Sequence, residues 1–225
     1  MTYLIVGCSY GIGEQIAIQL KAKGHKVIGI SRTAAPHVDE HIILDILNDQ
    51  LPPIGEPLDG LVYCPGSINL KPFKGLKLDD YKRDLEINTF GLIKTLQQYQ
   101  SNLKDAPNSS VVVFSTVAVQ TGMSFHASIA VSKGAIEGLT RSLAAEWAPK
   151  IRVNCIAPSL TQTPLASRLL DTEAKKIASE ERHPLKKYGN SAHIAAMACF
   201  LLSEQADFMT GQIIKMDGGI SAIKG

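Results

Sequence analysis

The chain is short of most features that would mark a specialised class. Its 23 basic and 21 acidic residues leave a formal charge of only +2, without a run of one sign. Such a surface neither neutralises a phosphate backbone nor holds an anionic bilayer, so neither nucleic acid nor membrane is expected as a partner. The longest apolar run, Ile194 to Leu202, is far short of the roughly 18 residues a membrane span needs. Cys8, Cys64, Cys155 and Cys199 are widely scattered and lack CxxC spacing. That argues against a metal or redox site and for four free thiols. The N-terminus passes from Met1 and Thr2 into a strand-like run broken at Gly7, with neither a basic stretch nor an apolar leader. No signal peptide is read there, and a cytoplasmic location is the default.

What is present is an ordinary globular composition, 45% hydrophobic and 20% charged over 225 residues. A single domain spanning 1–225 is expected, and at that size it buries roughly 70 to 75% of its surface without a staple. Short Val- and Ile-rich runs alternate with segments of helical period, the pattern of a parallel sheet covered on both faces. Seven strands are expected: Tyr3 to Val6, Lys26 to Ile30, His41 to Leu44, Leu61 to Cys64, Val111 to Phe114, Arg152 to Ile156 and Ile213 to Met216. Ile12, Ile16 and Leu20 recur at i, i+4 and i+8, with Gly24 where a helix ends. One long helix is read over Leu78 to Leu103, with Asn88 on its apolar stripe between Leu85 and Leu92, and a second over Ser124 to Ala148, ended by Pro149. A buried amide without a partner costs about 1 to 3 kcal/mol, so Asn88 must be bonded to something. Thr161 to Asn190 reads as a mobile excursion with one short helix at Thr172 to Arg182.

Directly after the first strand come Gly7, Cys8, Ser9, Tyr10, Gly11, Ile12 and Gly13. Glycines at a strand-to-helix junction let the backbone turn tightly and approach a pyrophosphate, which the helix N-terminus holds through free N–H groups. About 20 residues on, where a carboxylate would bond the ribose of NAD, stand Ser31 and Arg32. A guanidinium and a hydroxyl suit a 2′-phosphate, so NADP is expected in preference to NAD.

The GxxxGxG spacing resembles that of the short-chain dehydrogenase/reductase family, and the resemblance covers nearly the whole chain. It implies a Rossmann-type doubly wound α/β domain and a nicotinamide cofactor. Asp45 and Ile46 resemble the family's adenine-contacting pair, and Tyr63, Cys64, Pro65 and Gly66 stand where the family has Asn-Asn-Ala-Gly. Asn88 with Gly91 is similar to the helix asparagine that holds a relay water. Arg152 to Ser159, including Pro158 and Ser159, resembles the segment beside the nicotinamide, with Thr163 as carboxamide contact. Thr210 to Gln212 and Asp217 to Gly219 resemble the family's last strand and turn.

The resemblance departs at the active-site motif. Counting back from Lys133 puts the family's tyrosine at Ile129 and its serine at Thr116. Isoleucine cannot donate a proton, and a positioned acid contributes roughly 10²- to 10⁴-fold. By the resemblance Thr116 bonds a substrate oxygen and Lys133 the nicotinamide ribose. Enoyl reductases of the superfamily place their tyrosine seven before the lysine, where this chain has His126, a residue type that can act as an acid near neutral pH. Ser128, Tyr10, Tyr63 and Tyr188 are further donor candidates. Two readings stand: an oxidoreductase acting on a carbonyl or activated double bond of a small molecule with an altered proton donor, or a non-catalytic dinucleotide binder that senses or regulates. The resemblance also implies a homodimer or homotetramer built through the two long helices.

Overall fold

The apolar runs form the seven strands of one parallel sheet, in a computed structural model that describes residues 1–223. In chain order the elements are β1 (Thr2–Val6), α1 (Gly11–Ala22), β2 (Lys26–Ser31), β3 (Glu40–Ile43), β4 (Gly60–Tyr63), α2 (Leu78–Leu85), α3 (Gly91–Asp105) and β5 (Ser109–Phe114). They continue through α4 (Ala118–Thr121), α5 (Ala127–Trp147), β6 (Ile151–Pro158), β7 (Thr161–Gln162), α6 (Glu173–Arg182), β8 (Gly189–Asn190), α7 (Ser191–Leu202) and β9 (Ile213–Met216). The strand order is β3-β2-β1-β4-β5-β6-β9, a doubly wound sheet whose direction of growth reverses between β1 and β4.

Successive strand residues feed opposite faces. Leu4, Val6, Ile28 and Leu61 pack with Leu92, Leu96, Tyr99, Ile136 and Trp147 beneath α3 and α5. Tyr3, Ile5, Val27 and Val62 pack with Ile16 and Leu20 of α1 and Ala195, Ala198 and Leu202 of α7. Each such aliphatic side chain contributes about 1.5–3 kcal/mol on burial, so both faces must be apolar and the strands read as unbroken hydrophobic runs. No helix among the described residues is long and apolar enough to cross a membrane, and all four cysteines are free.

The long helix expected over Leu78 to Leu103 is interrupted. Between α2 and α3 the backbone widens into one π turn, Glu86–Phe90, where Gly91 N–H reaches Glu86 O five residues back. Side chains supply the cause. Asn88 Nδ2 donates to Asp84 O at 2.8 Å and Tyr63 OH donates to Ile87 O at 2.7 Å, so two carbonyls of this turn bond side chains. Such π turns cluster at functional sites. The second long helix begins three residues later than expected, leaving His126 just before it.

The excursion at Thr161 to Asn190 is closed at its base. Thr161 and Gln162 pair in parallel with Gly189 and Asn190 as a two-stranded ribbon, too short to leave a periodic signal. Inside it, Thr172 caps α6 by accepting from Lys175 N–H at 3.3 Å, at the place the sequence expected a helix to start.

Candidate active site

At the point where strand order reverses, the C-terminal ends of β1, β2 and β4 open into a cleft of about 840 Å³. Open α/β sheets bind ligands in such a crevice. Its floor is the turn from Gly7 to Gly13. Gly11 holds φ +67°, a left-handed conformation that L side chains rarely adopt. A methyl group on Gly13 would stand 2.1 Å from Gly7 O, so α1 can begin against the end of β1 only with glycine there. Tyr10, at the helix N-cap, makes no side-chain capping bond, which leaves the first-turn N–H groups to a ligand or water. Ser9, Tyr10, Gly11 and Ile12 line it together with Arg32, Asp45, Ile46, Cys64, Gly66 and Thr163, and Thr163 packs beside Gly11. Free amide donors on a glycine turn, an exposed guanidinium and an elongated cleft fit a dinucleotide with its pyrophosphate on α1.

Ser31 lines the cleft, but its hydroxyl is engaged by protein partners. Its hydroxyl is buried, donates to Thr33 O at 2.8 Å, meets His41 Nε2 at 2.8 Å and lies 3.7 Å from the Cys8 thiol. It shapes the loop that carries Arg32 and has no proton left for a phosphate. Pro158 and Ser159 are not among the residues that line the cleft, nor are Asn88, Thr116 and Lys133. The Ser159 hydroxyl faces His183 Nε2 at 2.9 Å, because the base of the excursion folds back onto the end of β6.

Beyond Gly66 lies a buried polar floor. A methyl group added at Gly66 would stand 3.4 Å from Asn88 Oδ1 and 3.6 Å from Lys133 Nζ, so both atoms border the same small space. Lys133 is buried and donates to Phe114 O at 2.9 Å. Burial holds its pKa down at about 8, partly offset by Cys155, Cys64 and the Asp84 carboxylate. The Asn88 amide expected to need a partner has three acceptors on Nδ2: Ser67 Oγ, Asp84 O and Ser132 Oγ. Asn88 Oδ1 has none among the described residues.

Other candidates stand differently. Thr116 is half-buried after β5 and accepts from Ala118 N–H at 3.3 Å. Ile129 is 6% exposed in the first turn of α5. His126 shares a hydrogen bond between Nδ1 and Ser124 O at 2.8 Å, and it is not among the cleft-lining residues. The Ser128 hydroxyl is buried with no partner among the described residues. Tyr63 is engaged by Ile87 O, and burial raises its hydroxyl further from the range of a useful acid.

Arg83, Glu86 and Asp84 escaped the sequence reading. Arg83 and Glu86 line the cleft from α2 and the π turn but look like any solvated helix face. Asp84 is 2% exposed beside Asn88, and its signal was available: a carboxylate four residues before Asn88 shares that residue's helix face.

A family described as Enoyl-(Acyl carrier protein) reductase matches residues 47–221. The chain is 30% identical to the L-xylulose reductase of Bos taurus over 236 residues, covering 97% of this chain and 96% of that one. It is 31% identical over 175 residues to an "Inactive 2-(S)-hydroxypropyl-CoM dehydrogenase 2" of Xanthobacter autotrophicus, covering 74% and 75% of the two chains. Among solved structures, one assigned as a 2-deoxy-d-gluconate 3-dehydrogenase of Agrobacterium tumefaciens with bound NADP superposes with a TM-score of 0.89 at 28% identity, covering 99% and 96%. The chain belongs to the short-chain dehydrogenase/reductase family of oxidoreductases.

Proposed function

We propose that the protein is an NADP-dependent oxidoreductase acting on a carbonyl or activated double bond of a small-molecule substrate, with a proton donor other than the family's tyrosine. The observation that carries this reading is that Lys133 Nζ and Asn88 Oδ1 both border Gly66, a residue that lines the cleft. A buried lysine and an unpartnered buried amide oxygen are costly together unless something comes to them.

In this reading the turn from Gly7 to Gly13 holds the pyrophosphate, Asp45 and Ile46 flank the adenine, and Thr163 bonds the carboxamide. Arg32 pairs with the 2′-phosphate, in keeping with the NADP bound to the Agrobacterium tumefaciens protein. The cofactor, when bound, supplies a hydride. Thr116 orients the substrate oxygen, and Lys133 Nζ carries a proton at the cofactor side of the cleft. His126, seven residues before Lys133, is the other candidate donor. The protein is read as cytoplasmic, and half-exposed Phe90 and Val131 on the two long helical segments support assembly as a homodimer or homotetramer.

A second reading, a non-catalytic dinucleotide binder, is favoured by Ile129 at the position the resemblance gives to the tyrosine, and by the relative described as inactive. Calorimetry with NADPH and NADH, paired with NADPH oxidation against ketones, enones and acyl thioesters, separates the two. Tight NADPH binding with turnover of any of these supports the enzyme. Binding without turnover supports the binder, and no binding of either cofactor overturns both.

A further inference from the structure

Asp84 is a buried carboxylate whose polar contacts are neutral. It accepts from Ser67 Oγ at 2.6 Å and, more weakly, from Asn69 Nδ2 at 3.4 Å, and no cation pairs with it among the described residues. Burying a carboxylate without a paired cation is costly, and the nearby acidic residue Asp80 has its own partner in Lys71 at 2.7 Å.

We propose that Asp84 is a positioning residue for Asn88: acting through Ser67 it locks the Asn88 amide with Oδ1 toward the space beside Gly66 that Lys133 Nζ also borders. This rests on the reading that places Lys133 in the active site.

The lock follows from proton counting. Ser67 has one hydroxyl proton, and it goes to Asp84 Oδ1, so Ser67 can only accept from Asn88 Nδ2 at 2.8 Å. Ser132 likewise gives its proton to Ile129 O at 3.1 Å and can only accept from Nδ2 at 3.3 Å. The third neighbour, Asp84 O at 2.8 Å, is a carbonyl. Three acceptors therefore face one edge of the amide. A flipped Asn88 would point its oxygen at all three, so Oδ1 is driven to the opposite side, where it borders Gly66 with Lys133 Nζ. Asp84 decides the donor direction of Ser67 and so anchors the set.

The test is hydrogen exchange of the Asn88 side-chain N–H protons, followed by NMR of the whole chain without cofactor or substrate. Asp84→Asn and Ser67→Ala should each let these protons exchange about tenfold faster with water. Asp84→Glu, which keeps the charge, should restore most of the protection. A folded Asp84→Asn or Ser67→Ala protein whose Asn88 side-chain N–H protons exchange no faster than in the unmutated protein overturns the proposal. If Asp84→Asn does not fold, Ser67→Ala decides by the same readout. Neither outcome depends on turnover, so an inactive protein would refute the enzymatic reading and leave this one standing.

Discussion

The cleft floor and the polar cluster behind Gly66 are built from different materials. The floor, Gly7 to Gly13, is backbone: glycines at a strand-to-helix turn, donors at a helix N-terminus, and a close approach of Gly13 to Gly7 O that admits no side chain. The cluster around Lys133, Asn88, Ser67 and Asp84 is a hydrogen-bonded network of mostly buried side chains. A backbone site tolerates no change at its glycines and is indifferent to most else. A side-chain site can exchange one member, as the proposed function has it at Ile129, and keep the remainder in register.

The first way to break that comparison is Gly13→Ala. The added methyl meets main-chain oxygen that cannot move aside. The expected cost is about 4 kcal/mol or more, a fall in Tm of about 10 °C, with cofactor binding lost. Calorimetry and a melting scan read both. An alanine accepted without loss would show that the turn is slack.

The next effect concerns the side-chain network. The pKa of Lys133 falls on folding from 10.5 to about 8, so between those values the unfolded chain binds a proton that the folded chain does not. Stability contributed at this residue therefore rises with pH across that window. Relative to Lys133→Met, the unmutated protein is expected to gain about 3 kcal/mol between pH 8 and 10.5. Urea unfolding of both proteins across that range measures it, and parallel curves would mean that Lys133 is not held in a desolvated site.

The smallest effect sharpens the account of Arg32 in the cleft. Because the Ser31 hydroxyl is committed to Thr33 O and His41, the preference for a 2′-phosphate is assigned to Arg32 and not to Ser31. Arg32→Ala should weaken NADPH binding by about 1.5 to 3 kcal/mol, roughly 10- to 100-fold, and leave NADH binding unchanged. Equal losses for both cofactors would move the phosphate contact elsewhere.

The contrast also accounts for what the sequence made legible. All seven strands and the turn between Gly7 and Gly13 could be read directly, because apolar runs and glycine spacing are local signals that burial and backbone geometry impose. The α6 start at Thr172 was readable for the same reason. The π turn was not, since one of the side chains that bond its carbonyls, Tyr63, lies 24 residues from Ile87. Nor was the fate of Ser31, whose partner His41 comes from the neighbouring strand. The ribbon of Thr161–Gln162 with Gly189–Asn190 is two residues per strand and has no period to detect. Asp84 lay within reach, because its spacing from Asn88 places both on one helix face.

The central claim is that the cofactor side is intact and that the catalytic side lacks one proton donor at Ile129. Its most direct test is NADPH oxidation by Ile129→Tyr with small activated ketones at saturating cofactor, alongside a melting scan. The lysine one helical turn away would lower the new tyrosine's pKa, so the account expects a gain of about 10²- to 10⁴-fold over the unmutated protein, with NADPH affinity nearly unchanged. A folded Ile129→Tyr protein that binds NADPH and gains nothing on any ketone would contradict it.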